Sequence, residues 1–395
     1  MAQMWSLERP TRRVSGMGAD SLVARSIASA HRARQVGYCS GSMRRLILSD
    51  VHGHLPALRA VLDTATRVDE IWCLGDVVGL GPWPDECVAT LRDAAAILVM
   101  GNHDVAAVGR PGPEFDRVPL LGESNPWTRS LLSEEQRGWL DRVPARLSRD
   151  GITLVHDIAA LRRDGPTAPL PVAEDLARTV GGPTLVGHFH LPHDVHAAVP
   201  DDADIVARVP RPGPVAGVDT STRILNPGAV GVPDAHPGYA SFAIAEDGAL
   251  AFHLVPVDLE AGYAMSRARG AGPLVLAQTA RQVADAAIAS GDLARGRQLL
   301  REAAPALSVS GSRRQDGLSL IAIAAIAAAE EDVESALDLL AAVSTGLTDH
   351  PLHRYRASIA LAHLRGMVLD IDARVAGARV AGLDRASEIA RRILG

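Results

Sequence analysis

The chain has 395 residues, with 40 basic and 46 acidic side chains, a net charge of −6 and a pI near 6.2. This length allows two domains with ample cores, and the slight acidic excess argues against a general nucleic-acid or anionic-membrane surface. No apolar run reaches the ~18 to 20 residues that span a bilayer, so we expect a soluble, cytoplasmic protein.

Residues 1–42 differ in composition from the rest of the chain. They are rich in arginine, contain only Glu8 and Asp20 as acids, and lack the continuous apolar core of a secretory signal. We expect a poorly ordered N-terminal extension. An amphipathic transit-type helix is one alternative, and a true start at Met43, directly before the first predicted strand, is another.

Five short runs rich in β-branched and apolar residues read as buried strands. They are RLIL at 45–48, EIWC at 70–73, AILVM at 96–100, ITLV at 152–155 and PTLV at 183–186. Each run leads into a segment with Asp, Asn or His: SDVHGH at 49–54, LGD at 74–76, GNHD at 101–104, VHD at 155–157 and GHFH at 187–190. Because loops past the carboxyl ends of such strands converge on one crevice, these segments are predicted to meet there.

The converging residue types indicate a metal site. Carboxylate, amide oxygen and imidazole suit Mn, Fe, Zn or Ni, and no thiolate accompanies them. The cysteines Cys39, Cys73 and Cys87 form no CxxC pair, which argues against a zinc finger or an iron–sulfur cluster.

The motifs resemble the calcineurin-like metallophosphoesterase superfamily, in its small prokaryotic phosphodiesterase-type branch. SDVHGH, GDVVGLGPWPDE at 75–86, GNHD, LVHD, GHFH and NPGAVG at 226–231 occur in that family's order. The resemblance covers residues 43 to about 257. It implies an α/β fold, a four-layer α/β/β/α sandwich, for which we predict the bounds 43–262.

The resemblance also implies a ligand set for two divalent ions, with manganese favoured. One ion would bind Asp50, His52 and His190, the other Asn102, His156 and His188, and Asp76 would bridge them. A dinuclear centre needs such a short bridging carboxylate, generates a hydroxide near neutral pH and clamps both oxygens of an in-line displacement.

Two further roles follow from the resemblance. His103 would face the leaving oxygen without binding metal, and Asp104 would orient its ring. An imidazole titrates near working pH, so it suits protonation of a departing alkoxide.

Several positions depart from the family pattern or leave alternatives open. His156 is followed by Asp157 and Ile158 instead of glycine and a small polar residue, so a structural histidine at the strand end is the alternative there. Phe189 replaces threonine and is predicted to narrow one wall of the site. His54 is predicted either to contact the substrate phosphate or to be a surface turn residue.

The remaining polar residues near these motifs are given no chemical role. His193 and His196 are predicted to be loop residues, and the turn at Asn226 is expected to pack beneath the site.

The rest of the first domain shows one helical segment and several strands. Residues 125–144 have helical spacing, with Ser133 and Glu134 at a plausible helix start, and residues 197–221 read as a loop or hairpin insertion. Strands are predicted at 222–225, 239–245 and 249–257, the last two joined by a turn at 246–248.

The last 120 residues differ again. From 275 to 395 the chain is rich in Ala, Leu and Arg with helical periodicity, and the segment at 284–300 is echoed at 322–340. This spacing predicts an all-α domain of helical hairpins of the TPR or HEAT kind, which offers a surface for a protein partner.

Two classes of function follow. The favoured one is an enzyme that hydrolyses a phosphate ester, with a phosphodiester or nucleotide as substrate, and a protein Ser/Thr phosphatase is its variant. The other is a non-catalytic scaffold whose helical tail binds a protein. The presence of His103 beside every ligand favours the enzyme, since a scaffold could lose that residue without harming its fold.

Overall fold

The computed structural model describes residues 43–157, 182–197, 205–208, 212–215, 222–307, 313–346, 351–365 and 382–394. The extension predicted for residues 1–42 and the position of Ile158 lie outside these ranges. The described chain divides into two compact units. One comprises 43–116 and 124–258, and the other 117–123 and 259–394.

The first unit contains twelve strands among the described residues. They are β1 Arg45–Leu48, β2 Glu70–Cys73, β3 Ile97–Leu98, β4 Arg146–Arg149, β5 Ile152–Val155, β6 Thr184–Leu185, β7 His193–Ala197, β8 Ile205–Arg208, β9 Gly213–Val215, β10 Thr222–Asn226, β11 Tyr239–Glu246 and β12 Ala249–Pro256. The helices before residue 142 are α1 Leu55–Thr64, α2 Pro84–Asp93, α3 Asn102–Ala107, α4 Glu114–Arg117, α5 Pro119–Leu131 and α6 Glu134–Leu140.

These strands form two mixed six-stranded sheets. The first has the order β3-β2-β1-β11-β12-β9 and the second β4-β5-β6-β10-β7-β8. Strands β1, β2 and β3 run parallel in the first sheet, as β5, β6 and β10 do in the second. The strands that precede the polar motifs therefore lie side by side, with their carboxyl ends at one edge of each sheet.

Two apolar clusters hold the sandwich together. Ile47, Trp72 and Leu74 of the first sheet pack with Leu154 and Leu185 of the second, which fixes the sheets face to face. A second cluster joins the other face of the first sheet to α1, α2 and α6. The sandwich predicted from the sequence, two sheets with surrounding helices, is confirmed.

The predicted hairpin turn at 246–248 and the predicted helix start at Ser133 are both found in the structure. Asp247 and Gly248 both have positive φ, 53° and 73°, which is the type I′ geometry that suits the twist of the β11–β12 hairpin. Ser133 caps α6 and accepts a hydrogen bond from the Gln136 amide at 3.2 Å. The predicted single helix at 125–144 is instead two helices, of which α5 begins at Pro119 and continues through Pro126.

The helical unit confirms the helical character predicted for the tail. Its elements are α7 Leu259–Ala268, α8 Pro273–Ala289, α9 Leu293–Leu307, α10 Arg313–Ala329, α11 Val333–Gly346, α12 Pro351–Arg365 and α13 Gly382–Leu394. The search for membrane-spanning segments found no helix of sufficient length and apolarity among the described residues.

The two helical hairpins of this unit share the same hydrogen bonds in their turns. In the α8–α9 turn the Asp292 amide donates to the Ala287 carbonyl at 2.8 Å, and in the α10–α11 turn the Asp332 amide donates to the Ala327 carbonyl at 2.9 Å. Both aspartates also cap the helix that follows, through the amides of Arg295 and Ser335. The two hairpins are thus copies of one structural unit forty residues apart.

Candidate metal centre

The five polar segments meet at the carboxyl ends of β1, β2, β3, β5 and β6. Three groups of side chains have ligand atoms within 4.8 Å of one another: Asp50, His52 and His190; His52, Asp76 and His103; and Asp76, His156 and His188. Asn102 joins the last group, because its Oδ1 lies 3.1 Å from His188 Nδ1. All seven predicted ligands are therefore brought together, and His103 lies beside them.

In the first group the ligand atoms point at a common position. The Nε2 atoms of His52 and His190 are 2.9 Å apart, and His190 Nε2 lies 3.3 Å from Asp50 Oδ1. Two imidazole nitrogens at this distance can share at most one hydrogen, whereas two lone pairs aimed at one cation satisfy both rings. The Asp50 carboxylate is held by the His188 amide, which donates to its oxygens at 3.1 and 3.2 Å.

In the group of Asp76, His156 and His188 a backbone contact orients the His156 ring. Its Nδ1 donates to the Leu74 carbonyl at 2.6 Å, so Nε2 is the atom that can give its lone pair to a metal ion in place of a proton. That Nε2 lies 3.1 Å from Asp76 Oδ2. A ligand role fits this arrangement, because carbonyl acceptors of this kind orient metal-binding imidazoles.

Asp76 lies between the group of Asp50, His52 and His190 and the group of His156 and His188. Its Oδ2 is 3.7 Å from His52 Nε2 on one side and 3.1 Å from His156 Nε2 on the other. Its Oδ1 accepts the His103 amide at 2.9 Å, which fixes the orientation of the carboxylate. This is the position that a bridging ligand requires.

The electrostatics of the cluster favour a cation. Burial alone raises the pKa of Asp76, but His156, His103 and His52 together hold it well below its ordinary value. Burial likewise lowers the pKa of His156, yet Asp76 and Asp50 raise it to about 10. The buried Asp76 carboxylate thus retains its charge and draws positive charge to His156. A divalent ion would supply that charge in place of the proton.

Five of the seven predicted ligands have left-handed backbone conformations. The φ angles are 55° at Asp50, 49° at His52, 52° at Asp76, 69° at His188 and 56° at His190. Each such non-glycine residue costs about 1–2 kcal/mol, so together they cost on the order of 5–10 kcal/mol, comparable with the stability of a whole domain. Strain concentrated in this way marks a functional site.

Backbone hydrogen bonds between the loops hold these conformations. The amides of Asp50 and His52 donate to the carbonyls of Gly75 and Asp76 at 3.0 and 2.9 Å. The Gly231 amide in turn donates to the Asp50 carbonyl at 2.9 Å. Each loop is therefore fixed by another loop that carries ligands or braces them.

Asn226 braces the GHFH loop from below. It is fully buried, donates through Nδ2 to the Gly187 carbonyl at 2.6 Å, and accepts the Gly228 amide at 2.8 Å. This matches the expectation that the turn packs beneath the site.

Gly187 is where the loops approach most closely. A β-carbon there would overlap Ser49 Oγ and would lie 2.9 Å from Asp50 Oδ2 and 3.1 Å from His156 Nδ1. The glycine of the GHFH motif is therefore a packing requirement of the centre.

We expect Gly187→Ala to weaken metal binding by about 10- to 100-fold, the usual cost of disturbing groups behind the ligands. The methyl group would displace Asp50 and His156, both predicted ligands. Titration of the metal-free protein with Mn²⁺ measures the effect. Gly182→Ala, two residues before β6, is the matched control, since its β-carbon would meet nothing closer than 3.8 Å. Equal affinity in the two variants would contradict the prediction.

The surroundings of His103 differ from the expectation for Asp104. The Asp104 carboxylate accepts the amides of Val78 and Gly101 at 3.1 and 3.0 Å, because its position in the first turn of α3 lets it reach back to the helix start. Among the described residues, no hydrogen bond joins it to the His103 ring. That ring is instead packed edge to face between His52 and Phe115, with centroids at 4.8 and 5.3 Å.

The histidines outside the ligand set have structural positions. His54 caps α1, with its Nδ1 accepting the Ala57 amide at 3.2 Å, and it is buried, so the prediction of a surface turn residue was wrong. His193 and His196 are not loop residues as predicted: they lie on β7, where they pair with Asn226 and Thr222 of β10. The loop prediction was wrong because HDVHA lacks an apolar strand pattern, and pairing with β10 overrides that weak preference.

Two features near His103 escaped the sequence analysis. Phe115 packs on the His103 ring, and Gly79, at φ 101°, would bring a β-carbon 2.5 Å from His103 Nδ1. Gly79 lies within the motif GDVVGLGPWPDE, so the sequence did mark its position as special. Phe115 lies in no motif, and the only hint was that phenylalanine is rare in this chain, which has four.

Comparison with known proteins agrees with this geometry. The family model described as calcineurin-like phosphoesterase matches residues 43–213. The crystal structure of a metallophosphoesterase from Sphaerobacter thermophilus is 35% identical, with a TM-score of 0.52, and the match covers 61% of this chain and 99% of that one.

Curated relatives match the same part of the chain. An uncharacterized protein of Methanocaldococcus jannaschii is 28% identical over 228 residues, which are 54% of this chain and 87% of the relative. A symmetrical bis(5'-nucleosyl)-tetraphosphatase of Pectobacterium carotovorum is 30% identical over 149 residues, or 35% of this chain. The chain spans about half of that tetraphosphatase, at 50% of its length.

Proposed function

Because the chain belongs to the calcineurin-like phosphoesterase family of metal-dependent hydrolases, we propose that it hydrolyses phosphodiesters or nucleotide-type phosphate esters at a dinuclear centre. The observation that carries this proposal is the convergence of seven ligand-type side chains around Asp76, with the non-ligand His103 beside them. Manganese is the ion we favour, since oxygen and imidazole ligands without thiolate suit it.

The residues divide the work as follows. Asp50, His52 and His190 would hold one ion, Asn102, His156 and His188 the other, and Asp76 would contact both. When bound, two divalent ions supply a water of lowered pKa and stabilise charge on both oxygens of an in-line displacement. Four positive charges against the two of Asp50 and Asp76 leave a centre that attracts a phosphate anion.

His103 would act on the leaving group. It is buried, and its ring is held between His52 and Phe115, which fixes its direction without a carboxylate partner. From this place the imidazole can donate its proton to the departing oxygen, which lowers the barrier for leaving groups of high pKa.

Asp157 supports a diester over a monoester. Asp157 directly follows the predicted ligand His156 and is only partly buried, and its negative charge opposes the fall that burial causes in the pKa of His188. A carboxylate whose charge reaches the His188 side of the centre disfavours the doubly charged phosphate of a monoester more than the singly charged phosphate of a diester.

A nucleotide substrate is supported by the relatives. Several of them carry the name symmetrical bis(5'-nucleosyl)-tetraphosphatase, at about 30% identity over part of their length. A serine or threonine phosphoprotein stays the competing substrate, and a partner for the helical unit stays a prediction.

The test is a substrate panel for the Mn²⁺-loaded full chain. We expect turnover of bis(p-nitrophenyl) phosphate and diadenosine tetraphosphate, slower turnover of p-nitrophenyl phosphate, and none of a phosphoserine peptide. Metal content is measured on the same sample. Protein that holds two ions and hydrolyses none of these esters would contradict the proposal, and turnover of the phosphopeptide alone would replace it with a protein phosphatase.

A further inference from the structure

The predicted ligands are not equally accessible. Asp50, His52, Asp76, His156 and His190 are all less than 5% exposed, whereas Asn102 and His188 are half-buried. Solvent, and with it a substrate, therefore reaches the centre from the side where Asn102 and His188 touch.

Phe189 stands on this side. Its ring lies edge to face against His188, with centroids 5.5 Å apart and the planes at 79°, and is 6.2 Å from the ring of His193. The Phe189 amide donates to the Gly187 carbonyl at 2.8 Å. Because His188 and His190 flank it in left-handed conformations, the backbone at this residue is fixed from both sides.

Phe189 also differs from the other phenylalanines of the chain. Phe242, Phe252 and Phe115 are at most 4% exposed, whereas Phe189 is half-buried. An aromatic ring left partly open to water beside a phosphate-binding centre has a surface that a planar ligand can cover. Stacking on an aromatic side chain suits any nucleobase, because every base has a π-face.

We propose that Phe189 is a specificity-determining residue that stacks on the nucleobase of a nucleotide ester whose phosphate is bound at the adjoining centre. The inference rests on the proposed function. It assigns to Phe189 the selection of the group attached to the phosphate, and leaves the hydrolysis itself to the centre.

The test compares two esters with the same leaving group. One is thymidine 5'-(p-nitrophenyl phosphate), and the other is its abasic counterpart, in which a methoxy group replaces thymine. We expect Phe189→Ala to raise KM for the thymidine ester by about 5- to 150-fold, the equivalent of about 1–3 kcal/mol at 1.4 kcal/mol per tenfold. The kcat for this ester and the KM for the abasic ester should change by less than about twofold, since uniform binding acts on KM alone.

Two further variants separate stacking from bulk. Phe189→Trp keeps an aromatic face and should retain the low KM, whereas Phe189→Leu keeps most of the volume and should behave like Phe189→Ala. Thymidine 5'-monophosphate should inhibit these last two variants more weakly than the natural protein, and inorganic phosphate should inhibit all of them equally. Metal content is measured for each variant, because Phe189 lies between two predicted ligands.

The outcomes are distinguishable. Equal losses on the two esters, or a low KM retained by Phe189→Leu, would overturn the inference while leaving the proposed function intact. A natural protein that cleaves bis(p-nitrophenyl) phosphate but neither of these two esters would likewise overturn the inference alone, whereas one that holds two ions and cleaves no phosphate ester of either set would overturn the proposed function.

Discussion

Replacing Asp76 with alanine should remove both metal ions and abolish phosphoesterase activity. Asp76 Oδ2 faces His52 Nε2 at 3.7 Å and His156 Nε2 at 3.1 Å, so a single side chain serves both groups of predicted ligands. The only other carboxylate in those groups, Asp50, lies in the first of them and contacts His190 at 3.3 Å. Its Oδ1 lies 4.0 Å from His156 Nε2, farther than the 3.1 Å of Asp76 Oδ2, so Asp50 does not replace the bridge.

The measurement is elemental analysis of the variant together with its activity in Mn²⁺. Asp76→Asn is a useful companion, since its amide oxygen can still accept the His103 amide, so the loop should keep its shape while the bridging charge is lost. Asp63→Ala, a substitution at an exposed position of α1, is the control for metal lost during purification. Two tightly held ions in Asp76→Ala would show that the centre has no bridging carboxylate at this position.

The alanine variant should also be less stable than the natural protein when both are free of metal. Alanine keeps the strained φ of 52° at this position, so the change relieves no backbone strain. It removes the carboxylate that accepts the His103 amide and that His156, His103 and His52 hold ionised by keeping its pKa well below the ordinary value.

The placement of the ligands could be predicted because it depends on strands. The runs at 45–48, 70–73 and 152–155 became β1, β2 and β5 with the predicted bounds, and the polar motifs follow them directly. Short strands rich in Val, Ile and Leu are buried on both faces, so they take central positions in the sheets of a sandwich. Their carboxyl ends, and the side chains carried there, are then brought together by parallel pairing.

The conformation of the ligands could not be predicted in the same way. Asp and His adopt positive φ more readily than other non-glycine residues, but this weak preference does not single out Asp50, His52 and His190 among the Asp and His residues of the chain. The angles result from hydrogen bonds between loops distant in sequence, such as that from the Gly231 amide to the Asp50 carbonyl. Tertiary contacts override local preference at these residues.

Other misses have the same physical origin. β4, with the sequence RLSR, is polar and mostly exposed, and it forms because β5 pairs with it in register from Arg146↔Val155 to Arg149↔Ile152. β9 pairs with β12 in the first sheet, although the strands before and after it in sequence, β8 and β10, lie in the second. The resemblance implies that Asp104 orients the His103 ring, but its carboxylate instead accepts two backbone amides, those of Val78 and Gly101.

Replacing His103 with alanine or asparagine should lower turnover of an ester with a poor leaving group by about 10²- to 10⁴-fold, the usual contribution of general acid catalysis. Metal content should stay nearly unchanged. This combination is expected because His103 lies beside the ligand groups with its backbone amide on Asp76, while its ring is packed between His52 and Phe115. The asparagine variant keeps the hydrogen bond from the backbone amide of residue 103 to Asp76 and removes only the imidazole.

The donor role requires the protonated form of the His103 ring. Burial lowers the pKa of His103 to about 4, although the charge of Asp76 raises it in part, so the ring is mostly neutral near pH 7 before substrate binds. A neutral imidazole can donate a hydrogen bond to the leaving oxygen, but only the imidazolium can give it a proton. The negative charge of a bound phosphate beside the ring favours that protonated form.

The leaving group provides the decisive comparison for His103. A thymidine dinucleotide releases an alkoxide that needs a proton, whereas thymidine 5'-(p-nitrophenyl phosphate) releases nitrophenolate, which needs little help. The loss in kcat should therefore be large for the first ester and small for the second, with the phosphate and the nucleoside held constant. His253→Gln, a half-buried histidine that stacks on Phe242 outside the centre, should change neither rate. Equal losses on both esters would show that His103 acts on the metal centre or on the fold, because only a group that protonates the leaving oxygen responds to the pKa of that oxygen.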